Sequence, residues 1–133
     1  MTTKTISWFV GGYVQATPHD GADRFGAARS FIMDGDYFPR AMRMYMDTAP
    51  ADQAVILDIQ DDGVTIFRDY RSSDDILYQY PQVDKGIRFK DTDHFTSDGE
   101  VKIAKDSVLT LEIRQTSGDA RNLTVELDLE EIE

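Results

Sequence analysis

Residues 107–115, SVLTLEIRQ, and 122–129, NLTVELDL, decide how the chain folds. In the first, Leu109, Leu111 and Ile113 alternate with Thr110, Glu112 and Arg114. In the second, Leu123, Val125, Leu127 and Leu129 alternate with Thr124, Glu126 and Asp128. A period of two puts each aliphatic set on one face of an extended strand and the polar set on the other, so both stretches read as half-buried β-strands. TSGDAR between them has the length and the Gly and Asp content of a hairpin connection. The expectation is a pair of strands with Ile113 opposite Val125, Leu111 opposite Leu127 and Leu109 opposite Leu129, making one hairpin face wholly aliphatic.

The same alternation recurs upstream. Residues 41–47, AMRMYMD, set Met42, Met44 and Met46 against Arg43, Tyr45 and Asp47, and residues 54–60, AVILDIQ, align Val55, Leu57 and Ile59. The three methionines read as core packing rather than as a cofactor or partner groove. Residues 6–14, ISWFVGGYV, are rich in aromatic and β-branched side chains, but Gly11 and Gly12 predict a bulge or an edge bend. Residues 31–33, the turn DGD and the run from Tyr37 predict another hairpin around Gly35.

Two stretches break the pattern, residues 15–28 with Pro18, Gly21 and Gly26, and residues 70–94 with Pro81 and Gly86. Both read as long loops carrying short strands. Residues 22–30 hold at most one or two helical turns, and no segment shows a sustained helical period with caps at both ends. Many short strands separated by turns imply an all-β chain, an antiparallel β-sandwich of jelly-roll type. With 133 residues and no repeat, low-complexity run or linker, residues 1–133 read as a single domain.

Composition removes several functions. Cysteine is absent, which excludes disulfides, thiolate zinc sites and cysteine nucleophiles. The 14 Lys and Arg against 25 Asp and Glu give a formal charge of -11, which repels a phosphate backbone, so no nucleic-acid partner is expected. No run approaches the roughly 18 apolar residues of a membrane span, and MTTKTISWFV lacks the basic region and long apolar run of a signal peptide. No membrane partner is expected, and folding is expected in a cytoplasm.

Residues 58–69, DIQDDGVTIFRD, put Asp58, Gln60, Asp62, Gly63 and Asp69 at the first, third, fifth, sixth and twelfth positions of a loop, near the spacing of an EF-hand. An EF-hand requires flanking helices, whereas AVILDIQ and VTIF are strand-like. Gln60 also replaces an acid, and Asp69 the longer bidentate Glu. Asp62-Gly63 instead marks a tight hairpin turn, whose central residues need positive φ.

Two further clusters could hold a cation, His94 with Asp91, Asp93 and Asp98, and His19 with Asp20 and Asp23. Both read as solvated turns, so no metal or cofactor is assigned. No Gly-x-Ser-x-Gly elbow or H-E-x-x-H pair is present, and among 25 acids nothing marks a buried pair suited to glycoside hydrolysis. No catalytic residue is assigned and no enzyme is expected. Tyr70, Arg71, Tyr78, Gln79 and Tyr80 are the candidate partner contacts, because Tyr and Arg are enriched where surfaces are recognised. They would meet a neighbouring subunit or a sugar, unless Ile76, Leu77 and some of the tyrosines form one more strand.

The order TAPADQAVILDIQDDGVTIF, a polar loop, then KDSVLTLEIRQTSGDARNLTVELDL resembles a β-sandwich domain common in bacteriophage virion proteins. The residues carrying the resemblance are Thr48, Ala49 and Pro50, then Gly63, Thr65, Ile66 and Phe67, then Asp106, Leu109, Thr110, Gln115, Leu123, Thr124 and Val125. It covers the chain from Met42 onward, and residues 6–40 fit the family's N-terminal strands loosely. The departure is RSSDDILYQYPQVDKG, where the family carries a Thr-, Ala- and Ser-rich loop.

The resemblance implies a non-enzymatic virion structural protein made in the host bacterial cytoplasm. A capsid decoration or cement subunit is the first expectation. The alternatives are a tail, neck or receptor-binding component, or a carbohydrate-binding module. Its partners would be the major capsid protein or other virion proteins. Particle symmetry calls for a homo-oligomer, trimers included. The acidic end DLEEIE would restrain premature association.

Overall fold

The computed structural model describes residues 3–14, 30–48, 55–67, 82–83, 88–91, 102–116 and 119–132. They form nine strands: β1 (Thr3–Tyr13), β2 (Phe31–Ile32), β3 (Tyr37–Tyr45), β4 (Val55–Asp61), β5 (Val64–Thr65), β6 (Gln82–Val83), β7 (Arg88–Asp91), β8 (Val108–Gln115) and β9 (Arg121–Glu131). Sheet one has the order β1-β9-β3-β7; sheet two has β2-β8-β4-β5, with β6 also paired to β4. Every pairing is antiparallel.

In chain order the path passes from one sheet to the other at every connection except those joining β4, β5 and β6. Strands β5 and β6 lie on the same edge of β4, where Gln60 and Asp61 pair with β5 and Val55 and Ile56 with β6. Counted as one interrupted edge strand, they leave two four-stranded sheets connected as in a jelly roll. The fold is therefore an antiparallel β-sandwich of jelly-roll topology, as the alternation predicted.

The sheets meet on their aliphatic faces. Ile6, Trp8 and Val10 of β1, Met42 and Met44 of β3, and Leu123, Val125, Leu127 and Leu129 of β9 cover Val55, Leu57 and Ile59 of β4 and Leu109, Leu111 and Ile113 of β8 in one buried cluster. Each side chain fully withdrawn from water contributes about 1.5–3 kcal/mol. Trp8 meets Phe31 edge-on at 5.3 Å between ring centroids, linking the first strand of sheet one to the first of sheet two.

The predicted 107–129 hairpin does not form. Strand β8 lies between β2 and β4, and β9 lies between β1 and β3, in opposite sheets. A hairpin would have placed seven aliphatic side chains on one surface that still needed cover. Splitting the strands between two sheets lets the two faces cover each other. The crossing is anchored at its ends: Thr116 Oγ1 donates to the Val14 carbonyl at 2.8 Å, and Val14 N donates to the Ala120 carbonyl at 3.0 Å. Asn122 enters β9 with a φ of 55°, and its Nδ2 donates to Asp47 Oδ2.

The hairpin around Gly35 is also a crossing, since β2 belongs to sheet two and β3 to sheet one. Met33 and Tyr37 are both buried, so the polar DGD between them passes over the sandwich edge instead of reversing within a sheet. Residues 103–107 run beside it: Met33 N donates to the Ser107 carbonyl, Asp106 N to the Met33 carbonyl, and Tyr37 and Ile103 exchange a pair of backbone bonds.

Other expectations hold. Met42, Met44 and Met46 are buried while Asp47 is exposed, and β1 shifts register between Val10 and Tyr13, where Gly11 and Gly12 predicted a bulge. The acidic end is largely strand: Asp128 to Glu131 complete β9, and Glu130 pairs with Thr3 and Phe38. Residues 15–29 lie outside the described residues, as does the short helix weighed for 22–30. Within 70–94 only the two short strands β6 and β7 are described.

Candidate functional site

Tyr70, Arg71, Tyr78, Gln79 and Tyr80, the candidate contacts, lie outside the described residues, as do Ile76 and Leu77. Their point of attachment is described. Ile66 N donates to the Ile59 carbonyl at 3.0 Å, and the chain is back on the same edge of β4 where Gln82 pairs with Ile56. Three residues of β4 separate those two points, about 10 Å at about 3.3 Å per residue. Ile66 and Gln82, the described residues on either side, thus lie on one edge of sheet two.

His19 and His94 also lie outside the described residues. The 58–69 loop is a hairpin turn, as expected: Asp62 has a φ of 48° and Gly63 of 86°, the double positive φ of a type I′ turn. Its acids diverge. Asp62 Oδ1 accepts from Val108 N at 2.8 Å, Asp58 lies on the outer face of sheet two, and Asp61 shares the inward register of Leu109. Among the described residues no three Asp, Glu or His side chains converge as metal ligands would.

The outer face of sheet two carries a pair of acids that sequence reasoning missed. Asp58 and Glu112 are cross-strand partners of β4 and β8, and Asp58 is only 1% exposed. Gln60 Nε2 donates to Asp58 Oδ2 at 3.1 Å and to Glu112 Oε2 at 3.3 Å, bridging the two carboxylates. Thr65 Oγ1 donates to Asp58 Oδ1, and Arg114 Nη1 holds Glu112 Oε1 at 2.8 Å.

Burial pushes the Asp58 carboxyl up to about 6; the Thr65 and Gln60 hydrogen bonds pull it down, and the Glu112 charge raises it further. Asp58 can therefore keep its proton up to about pH 6. Burial leaves Asp58 no direct approach to a substrate, so this is a proton-holding element of the sheet rather than a general acid. A signal for it was present in the sequence: Ile56, at the same outward parity as Asp58, is itself only 4% exposed. Residues 55–59 bury both their faces, as a continuous apolar run does when a sheet is covered on two sides.

The outer face of sheet one is a polar ladder centred on β9. Arg43 grips Asp128 through Nη1 at 2.7 Å and Nη2 at 2.8 Å, and reaches Glu126 through Nε at 3.1 Å. Tyr45 Oη donates to Glu126, Thr5 Oγ1 to Asp128 and Arg40 Nη2 to Glu130. Glu126, Asp128 and Glu130 of β9 are thus each matched across the strands. Phe9 stands among these polar groups with 61% of its surface exposed.

At the far edge of the sandwich, Asp34 is held below the usual carboxylate range by the Tyr37 hydroxyl and by Lys4, and the same contact pushes the Tyr37 hydroxyl up to about 12. Asp36 is lowered chiefly by the Lys105 backbone N–H. These bonds fasten the 33–37 crossing.

No family model matches the chain, and no curated protein matches it.

Proposed function

We propose that the chain is a non-enzymatic structural subunit of a bacteriophage particle, a capsid decoration or cement protein that acts by shape-matched association with the major capsid protein or other virion proteins. The observation that carries this reading is a jelly roll with a filled interior. Jelly rolls serve as viral capsid subunits and as binding domains, and a small one packs its inward positions with side chains where a larger barrel encloses a ligand. Here the buried core that β1, β3, β4, β8 and β9 supply is made of aliphatic, aromatic and methionine side chains. What such a body offers to a partner is its outside.

The quoted resemblance is consistent with this. Thr65, Ile66 and Phe67 fall on and just after β5, Leu109, Thr110 and Gln115 on β8, and Leu123, Thr124 and Val125 on β9. Each piece that reads as a strand in the family is a strand or its direct continuation here.

Quantitative peptide mass spectrometry on purified particles tests the reading. A copy number of the same order as the major capsid protein supports decoration. A handful of copies moves the chain to the tail, neck or receptor-binding apparatus. Complete absence from particles overturns the virion reading.

A further inference from the structure

A sandwich of two open sheets has four edges, and among the described residues three of them carry only short strands. Strand β2 is two residues long, β5 and β6 are two each, and β7 is four residues long and contains Arg88, Lys90 and Asp91. Short or charged edge strands are how folded chains avoid pairing with other chains. Strand β1 is the exception. It runs eleven residues, TKTISWFVGGY, with Lys4 as its one charge and no proline, and among the described residues it pairs with β9 alone. Its register is unbroken from Thr3 to Val10.

Charge singles out the same edge. The chain carries 25 acids, yet none occurs before Asp20. Copies of a chain with a net charge of -11 repel each other over most orientations, and β1 is a long strand that itself contributes no acid to an approaching copy, while Asp34 beside it is paired with Lys4. The acids of β9 behind it, Glu126, Asp128 and Glu130, are already matched by Arg43 and Arg40.

We propose that the outer edge of β1, where the described residues place no strand, is an interface for a second copy of this chain. The two β1 strands run antiparallel about a two-fold axis at Ser7, and the sheets join as β7-β3-β9-β1-β1-β9-β3-β7. A sheet that keeps its inner and outer faces aligned requires partners of equal parity, and the register centred on Ser7 overlaps the strand from Thr3 to Gly11. Exposed Phe9 then lies opposite Thr5 of the other copy, an aromatic against β-branched pairing that strands favour. Ser7 meets its own equivalent, small enough for the axis. Such a contact is isologous and closes at two copies, one form of the homo-oligomer expected from the sequence. It depends on the edge alone and holds whatever particle or partner the chain serves.

Sedimentation velocity of the purified chain across a wide concentration range tests it. The expected result is a reversible monomer–dimer equilibrium. Ser7→Lys, which sets two ammonium groups against each other at the axis, should return the chain to monomer with its melting temperature kept, because within one copy the introduced lysine faces Glu126. Since the chain has no cysteine, Ser7→Cys gives a second readout. Under mild oxidation it should form a disulfide-linked dimer, while Ala104→Cys, on an exposed turn, should not. A monomer at every concentration overturns the proposal. So does any oligomer that survives Ser7→Lys, and so does Ser7→Cys cross-linking no faster than Ala104→Cys.

Discussion

Asp58 is a carboxyl whose folded pKa lies above its ordinary value of 3.8, at about 6. The folded chain therefore binds this proton more tightly than the unfolded one, and stability falls as pH rises between those values. At about 1.4 kcal/mol per unit the whole difference comes to about 3 kcal/mol by pH 7. Melting curves at pH 4.5 and 7.5 should show the native chain losing stability on the way up and Asp58→Asn losing much less. Parallel behaviour of the two would assign the loss elsewhere. Asp34 and Asp36 shift downward, so their contributions fade only below that window, and Tyr37 titrates far above it.

Gly63 offers a test of backbone alone. With a φ of 86° and nothing within 4 Å of a would-be Cβ, Gly63→Ala meets no clash and costs only left-handed strain, about 1–2 kcal/mol. A lower urea midpoint with an unchanged slope is the expected record.

At the level of the strand, Leu111 faces the centre of the interior and pairs with Ile59. Leu111→Asp buries an unpaired carboxylate there, costing far more than the few kcal/mol by which domains are stable. The variant should show no cooperative melting; a folded variant would mean that β8 is not central. How far such elements were legible follows from what a period of two encodes. Alternation fixes which face of β3, β4, β8 or β9 is apolar, and those faces are as read. It does not say which strand lies alongside. A six-residue link serves equally to turn back in one sheet or to pass to the other, so β8 and β9 read as a hairpin although tertiary packing separates them. The same ambiguity turned DGD into a supposed hairpin, whereas Asp62-Gly63, whose dihedral demand is local, was read correctly. The Asp58–Glu112 pair was only half legible, since the apolar run around Asp58 signals its burial but not its partners. Its partners Gln60, Thr65 and Arg114 come from three strands, and no spacing along the chain reports a cross-strand neighbour.

At the level of the whole molecule, composition and patterning reached the architecture but not the outward surfaces that would decide a partner. The residues favoured for that role, Tyr70 to Tyr80, lie outside the described residues, in a stretch of sequence that no alternation constrains. The placing of β9 has one further consequence. The middle of sheet one is the last strand in chain order, between β1 and β3, the first and second of that sheet. During synthesis β1 emerges on the order of ten seconds before residues 121–131, at about 5–20 residues per second. Until then β3 has only β7 beside it, and the long β1, with Lys4 as its one charge, has no described strand to pair with. The ribosome must deliver the keystone after the arch, and in that interval the nascent chain is most in need of a chaperone.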